Sequence, residues 1–152
     1  MATSGVPTKL GHVALRVRDL DRAVTFYRDV LGVHLRAQHP SVAFLGNRED
    51  ASHEIALFAL GPEAPGPEAQ RVGMYHMAWE MASFEDLQQL HQRLVSSGAR
   101  IVGYSDRQCN VMFLDPDGNE LEAIWEPPHA ELERLQASGT PLPQLERAPL
   151  SA

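Results

Sequence analysis

The chain has 152 residues, of which 43% are hydrophobic, and this is enough for one compact domain with a buried core. Its formal net charge is -7 at pH 7, and Lys9 is its single lysine, so no basic stripe exists to neutralise a phosphate backbone. These values argue against nucleic acid as a partner.

The sequence also bears on location. No apolar run reaches the length of a membrane span, and residues 1–9 lack the apolar stretch of a signal peptide. Cys109 is the only cysteine, which excludes a disulfide within the chain and a zinc site built from several thiolates. We therefore expect a cytoplasmic protein that does not contact a membrane.

The first predicted module spans residues 8–60 and begins with a strand that carries His12. Alternation of apolar and polar residues predicts its strands, and apolar residues at helical spacing predict its helix. Asp19 can cap the start of that helix, and Gly32 can end it. The elements are a strand, a helix and at least two further strands, at residues 11–17, 19–32, 42–45 and 53–58.

The second predicted module, residues 74–126, repeats this order and places His76 in its first strand. Its helix lies between a capping Ser83 and Gly98. Before the last strand, the segment Asp115–Asn119 carries a proline and a glycine where they dictate a tight turn. The strands are predicted at residues 75–81, 111–114 and 120–125.

Proline and glycine also mark the boundaries of the modules. They recur through residues 61–68 and exclude helix and central strand there, which predicts a linker over residues 61–73. After residue 126, two consecutive prolines begin a tail over residues 127–152 that contains one short helix, at residues 129–137.

Three residues of metal-ligand type fall at informative positions in this repeat. His12 and His76 occupy the same place in their strands, and Glu122 lies among apolar neighbours on the last strand, where a carboxylate needs a cation or a basic partner. Two imidazoles and one carboxylate can occupy one face of a divalent metal and leave the opposite face open. We therefore predict His12, His76 and Glu122 as metal ligands.

The order of elements, the segment Gly11–Leu15 before a helix with Phe26 and Tyr27, and the segment Asp115–Glu122 resemble the vicinal oxygen chelate superfamily. That superfamily includes glyoxalase I, fosfomycin and bleomycin resistance proteins, and the type I extradiol dioxygenases. The resemblance covers residues 8–126. It implies an α+β fold of two βαβββ modules that form a curved mixed sheet around a metal-binding cleft, and a homodimer. The length of the chain predicts one domain over residues 1–152.

Comparison of the two modules separates branches of the superfamily. Glyoxalase I-like sites take an acidic or amide ligand from both modules, whereas here the last strands align Ile55 with Glu122. A one-residue slip would bring Glu54 to that place but would turn the apolar face outward. Three ligands resemble the extradiol dioxygenases, which implies Fe(II) as the metal, with Mn(II) next, and O2 as a co-substrate.

The resemblance extends to a candidate catalytic residue. In the extradiol family a further histidine, just before a small apolar strand of the first module, acts as acid and base, and His53 matches it. The period-2 relation of His53 to Ile55 and Leu57 predicts that its side chain points into the cleft. An imidazole can take and return a proton near neutral pH, which suits this role.

Two positions depart from the extradiol pattern. The tyrosine of that family, ten residues before the glutamate ligand, is replaced by Met112, which cannot donate a hydrogen bond. The loop over residues 104–110 has no histidine where those enzymes have one, and Tyr104 and Arg107 are the candidates to replace it. Phe44 and Met112 are predicted to line the cleft.

The leading hypothesis is an extradiol dioxygenase-like enzyme that cleaves the ring of a catechol-type, aromatic vicinal diol. One alternative is a glyoxalase-like lyase or isomerase, or another metal-dependent transferase, which needs a base and no oxygen. The other is a non-catalytic resistance protein that binds an aromatic compound. Oxygen uptake, a four-ligand metal sphere with Glu54, or an empty metal site would distinguish the three.

Overall fold

The computed structural model describes residues 5–68 and 70–151. Residues 1–4, 69 and 152, which belong to the N-terminal segment, the predicted linker and the tail, lie outside the described residues. The chain divides between Ala64 and Pro65, inside the predicted linker, into two compact units. Each unit holds a four-stranded mixed sheet.

The first unit has the order βαβββ. Its strands lie in the order β1-β4-β3-β2, with β1 and β4 parallel and the other neighbours antiparallel. Parallel pairing of the first and last strands needs a crossover, which the helix provides. The elements are β1 Val13–Val17, α1 Leu20–Thr25, β2 Leu35–His39, β3 Val42–Leu45 and β4 Ile55–Ala59.

The second unit repeats this arrangement, with strand order β5-β8-β7-β6 and β5 parallel to β8. A further helix follows the sheet. The elements are β5 Met77–Glu80, α2 Phe84–Ser97, β6 Arg100–Gly103, β7 Cys109–Leu114, β8 Glu120–Trp125 and α3 His129–Ser138. The predicted α+β fold of two βαβββ modules is confirmed. No helix within residues 5–68 and 70–151 is both long and apolar enough to cross a membrane.

The predicted helix caps form as the sequence indicates. The Asp19 side chain accepts a hydrogen bond from the Arg22 amide, and Ser83 accepts one from the Asp86 amide. Gly32 and Gly98 end their helices in the left-handed region, with φ of 89° and 71°. The last turn before Gly32 differs from the prediction, because α1 continues over Phe26–Leu31 as a π-helix.

The turn that precedes β8 is held by one carboxylate. Asp115 Oδ1 accepts hydrogen bonds from the backbone amides of Asp117 and Asn119, and Oδ2 accepts one from the Asn119 side chain. Gly118 supplies the left-handed conformation at φ 94°. This network fixes where β8 begins and therefore which residues of β8 face each side of the sheet.

His91 lies inside the second unit rather than on its surface. It is on α2, only 7% exposed, and its Nε2 lies 2.8 Å from the Tyr104 hydroxyl. Burial lowers the pKa of His91, because the charged ring loses its hydration, and the negative charge of Glu146 partly opposes this. The folded protein therefore holds the ring neutral at a pH where the unfolded chain begins to protonate it.

This difference predicts a pH-dependent stability. Since the folded chain binds fewer protons at His91, the free energy of unfolding should fall as pH drops below about 6.5 and be regained at higher pH. In His91→Gln that part of the decline should disappear. Urea unfolding at several pH values checks this, with the exposed His34 replaced by glutamine as the control. Equal pH slopes in the natural chain and His91→Gln would contradict the prediction.

Candidate metal centre

The second unit brings two of the predicted ligands together. His76 lies one residue before β5, and Ala78, two residues further on, pairs with Glu122 of β8. Residues two apart point to the same face of a sheet, so the two side chains meet there. The His76 Nε2 atom lies 3.3 Å from the Glu122 Oε2 atom.

This separation suits two ligands of one metal ion. Nitrogen and oxygen ligands that each bind at about 2.1 Å and at about a right angle are about 3 Å apart. Glu122 is only 8% exposed, and a buried carboxylate is costly without a cation or strong donors. The buried Nδ1 atom of His76 has no hydrogen-bond partner among residues 5–68 and 70–151. A cation bound by Nε2 and Oε2 would offset the charge of Glu122 and use the Nε2 lone pair of His76, with the proton of the imidazole on Nδ1.

Asn110 and Tyr75 contact this pair. The Asn110 amide donates a hydrogen bond to the second carboxylate oxygen of Glu122, Oε1. The exposed Tyr75 places its ring 4.7 Å from the His76 ring. The pKa of Tyr75 is raised chiefly by the negative charge of Glu120, with smaller effects of burial, a hydrogen bond to Glu120 and the charge of Glu122.

Sequence reasoning missed Asn110. It is 4% exposed and lies on β7, where an amide is uncommon unless both of its ends are hydrogen-bonded. The available signal in the sequence was an amide residue at the start of the apolar stretch that forms β7. In the structure Asn110 is a diagonal cross-strand neighbour of Glu122.

The first unit brings together His12, His53 and Phe44. The ring centroids of His12 and His53 are 4.5 Å apart, and those of Phe44 and His53 are 4.9 Å apart. The Ser52 hydroxyl lies 2.9 Å from His53 Nδ1, which orients the ring. His12 is exposed and His53 is half-buried, so this cluster lies at the surface of its unit.

The register corrects two predictions about β4. Val13 follows His12 in the first unit as Met77 follows His76 in the second. Val13 pairs with Ile55 and Met77 pairs with Leu121, so Ile55 corresponds to Leu121. The counterpart of Glu122 is therefore Ala56 and not Ile55. Ile55 and Leu57 are fully buried on the face that packs against α1. His53 precedes β4 and reaches Phe44 from the irregular chain, so its direction does not follow from period-2 alternation with Ile55 and Leu57.

The conclusion about ligand number is unchanged by this correction. Alanine cannot bind a metal, and Glu54 is committed elsewhere. Its Oε2 atom accepts hydrogen bonds from the backbone amides of Asn47 and Arg48, at 2.7 and 2.9 Å. Glu54 therefore holds the loop after β3 together.

The remaining predicted site residues differ in their surroundings. Met112 is half-buried on β7 and pairs with Glu122, as Phe44 pairs with Ala56. The Tyr104 hydroxyl contacts His91 and accepts a hydrogen bond from the Ala148 amide at 2.9 Å. Arg107 is exposed, and its amide donates to Ser105 Oγ.

Neither unit completes a metal site by itself. Within each unit, the described residues contain no group of three or more His, Cys, Asp and Glu side chains that could hold a metal ion. His76 and Glu122 are two donors in the second unit, and His12 belongs to the first. A site with three protein ligands therefore needs a donor beyond the His76–Glu122 pair.

The duplicated βαβββ fold, with a histidine before the first strand of each unit and a buried glutamate on the last strand of the second, defines a class of two-module proteins. A family model described as the Glyoxalase/Bleomycin resistance protein/Dioxygenase superfamily matches residues 9–123. The chain belongs to this superfamily.

Several known proteins are similar to this chain. A biphenyl-2,3-diol 1,2-dioxygenase of Rhodococcus globerulus is 32% identical over 122 residues, which is 77% of this chain and 63% of the relative's length. The glutathione transferase FosA of Serratia marcescens is 32% identical over 117 residues, 74% of this chain and 77% of the relative. The crystal structure of a glyoxalase/dioxygenase from Nostoc punctiforme shares the fold, with a TM-score of 0.69, 22% identity and coverage of 84% of this chain and 97% of that one.

Proposed function

We propose that this protein is a mononuclear metal-dependent enzyme that opens the ring of a catechol-type substrate with O2. The metal ligands in this proposal are His12, His76 and Glu122, with Fe(II) or Mn(II) as the metal. The observation that carries it is the 3.3 Å separation of His76 Nε2 from a buried Glu122 carboxylate. The similarity to a dioxygenase whose name specifies an aromatic vicinal diol supports this choice of substrate.

A bound divalent metal would supply a Lewis acid at which two vicinal oxygen atoms and O2 can be held together. The chain's own residues would orient the substrate and move its protons. His76 and Glu122 would hold the metal through Nε2 and Oε2, which lie 3.3 Å apart. Asn110 limits the rotation of the carboxylate by its hydrogen bond to Oε1.

His53 is the proposed acid and base. The contact of its Nδ1 with Ser52, together with ring contacts to His12 and Phe44, fixes the plane of the imidazole. The ring can then accept a proton from a substrate hydroxyl through Nε2 and return it later in the reaction. Phe44 offers an aromatic surface next to this ring, which suits an aromatic substrate.

A metal-dependent transferase is the second candidate. The similarity to the glutathione transferase FosA covers 77% of that relative, a larger share than for the Rhodococcus dioxygenase. Met112 also lies beside Glu122, where the extradiol resemblance calls for a hydrogen-bonding tyrosine. Such an enzyme needs a thiol co-substrate and no O2, so the two candidates differ in the co-substrate that they require.

Oxygen consumption distinguishes the candidates. Fe(II) is first restored to the protein under anaerobic conditions. When O2 and a catechol are then added, we expect the protein to consume O2. We expect His53→Ala to lose about 100-fold or more in kcat without losing metal. His34→Ala, at an exposed position of the first unit, is the control for a general effect of losing an imidazole. Thiol-dependent turnover without O2 uptake would favour the transferase, and aromatic binding without turnover would favour a resistance protein.

The proposal includes a setting for this activity. We place the enzyme in the cytoplasm as a homodimer that acts on a small molecule, with no nucleic-acid or membrane partner. The acidic sequence and its single cysteine support the location and argue against nucleic acid as a partner, and the homodimer is what the resemblance to the superfamily implies.

A further inference from the structure

The Glu122 carboxylate is held from the side that faces away from His76. Asn110 on β7 pairs with Ile124, two residues beyond Glu122, so the two polar side chains are diagonal neighbours on one face of the sheet. Its Nδ2 donates to Glu122 Oε1, while Glu122 Oε2 lies next to His76. The two oxygens of the carboxylate therefore have different partners.

The orientation of the Asn110 amide is itself fixed. Its Oδ1 atom accepts a hydrogen bond from the Ser105 backbone amide at 2.8 Å. That bond requires the oxygen to face the loop and the NH2 group to face the carboxylate. Asn110 and Glu122 are both buried, so water does not compete for these bonds.

The loop that holds Asn110 is in turn held by the C-terminal segment. The Ala148 amide donates to the Tyr104 hydroxyl at 2.9 Å, and the Arg147 guanidinium lies 5.5 Å from the Tyr104 ring centroid. Arg147 also forms an ion pair with Asp106, on the other side of Ser105. Contacts on both sides of Ser105 thus connect the tail to the amide that restrains Glu122.

We propose that Asn110 is a positioning residue for the Glu122 ligand, which it holds so that only Oε2 is presented towards the metal, and that the C-terminal segment stabilises this arrangement through Ser105. The inference rests on the proposed metal role of Glu122. Partners of this kind, which hydrogen-bond a ligand without touching the metal, change metal affinity when they are lost.

Metal titration tests this role separately from catalysis. Asn110→Leu keeps the branched shape of the side chain and removes the donor, and we expect it to bind Co(II) about 10- to 100-fold more weakly with an altered absorption spectrum. Asn47→Leu is the matched control, because the Asn47 amide also bonds at both ends, to His34 N and Gly32 O. A purely structural role for Asn110 would lower the unfolding temperature and leave Co(II) affinity and spectrum unchanged, and this result would overturn the inference.

A second measurement uses the natural chain and does not depend on the folding of a variant. In protein labelled with nitrogen-15 at asparagine, addition of Zn(II) should shift the side-chain NH2 signals of Asn110 and leave those of Asn47 in place. Metal binding without a shift at Asn110 would overturn the inference and leave the proposed function standing. Failure of the natural chain to bind Co(II) or Zn(II) would overturn both.

Discussion

Replacement of His76 by alanine or Glu122 by glutamine is expected to abolish stable metal binding. His76→Ala removes one of two donors that are 3.3 Å apart, whereas Glu122→Gln replaces the carboxylate by a neutral, weaker amide donor and removes the buried charge that attracts a cation. We expect the affinity for Fe(II) or Mn(II) to fall by about 100-fold or more, which exceeds the effect of losing a hydrogen-bonding partner of a ligand. The measurement is the metal content of protein purified anaerobically without an affinity tag.

The chain provides a matched control for this result. In α3, His129 Nε2 lies 3.2 Å from Glu133 Oε1, nearly the same separation as in the predicted site, but both side chains are exposed. Water hydrates this second pair, so it has little need of a cation. His129→Ala should keep the full metal content. Equal metal loss in His76→Ala and His129→Ala would mean that metal binds to surface histidines without selection.

The same comparison explains why separation alone does not identify a site. Both pairs bring an imidazole close to a carboxylate, yet only the Glu122 side chain is buried, with an exposure of 10% against 66% for that of Glu133. Burial makes an unneutralised carboxylate costly, whereas hydration stabilises an exposed one. The two pairs can be distinguished only in the folded structure, because the sequence does not show how exposed each glutamate is.

Local signals predicted much of this fold. The sequence predicts the helix caps at Asp19, Ser83 and Gly98 because a cap depends on a few neighbouring residues. The turn at Asp115 could also be predicted, because its hydrogen bonds join residues that are close in the sequence. These features fix where helices start and where β8 begins, which was sufficient to predict the order of the elements in each module.

The sequence of β4 does not indicate which of its side chains point to each face of the sheet. Ile55, Ala56 and Leu57 are all buried, so both faces of the strand are apolar and alternation carries no information about which face is which. The pairing with β1 sets the register, and that pairing joins residues about forty positions apart. The strand β2 escaped prediction for a related reason, since four of its five residues are exposed and it lacks an apolar pattern.

The sequence predicts the C-terminal segment only as a tail with one short helix, and in the structure this segment packs against the second unit. Leu145 is 7% exposed and lies beside α2, next to a cavity of about 460 Å³. The Pro143 carbonyl accepts a hydrogen bond from the Cys109 thiol at 3.1 Å, and the Ser151 amide donates to the Ile101 carbonyl at 2.7 Å. Burial raises the pKa of the Cys109 thiol, so little thiolate is present at neutral pH.

These contacts predict that the tail controls access to Cys109. Leu145→Ala should weaken the tail by about 2 kcal/mol, which corresponds to about a 30-fold larger fraction of molecules in which the segment is detached. Because Cys109 reacts only when it is exposed and ionised, its labelling by a disulfide reagent should accelerate by about tenfold or more at fixed pH. Leu150→Ala is the matched control, since Leu150 is 59% exposed and its truncation removes little packing. Equal labelling rates in the two variants would show that the segment around Leu145 does not cover the thiol.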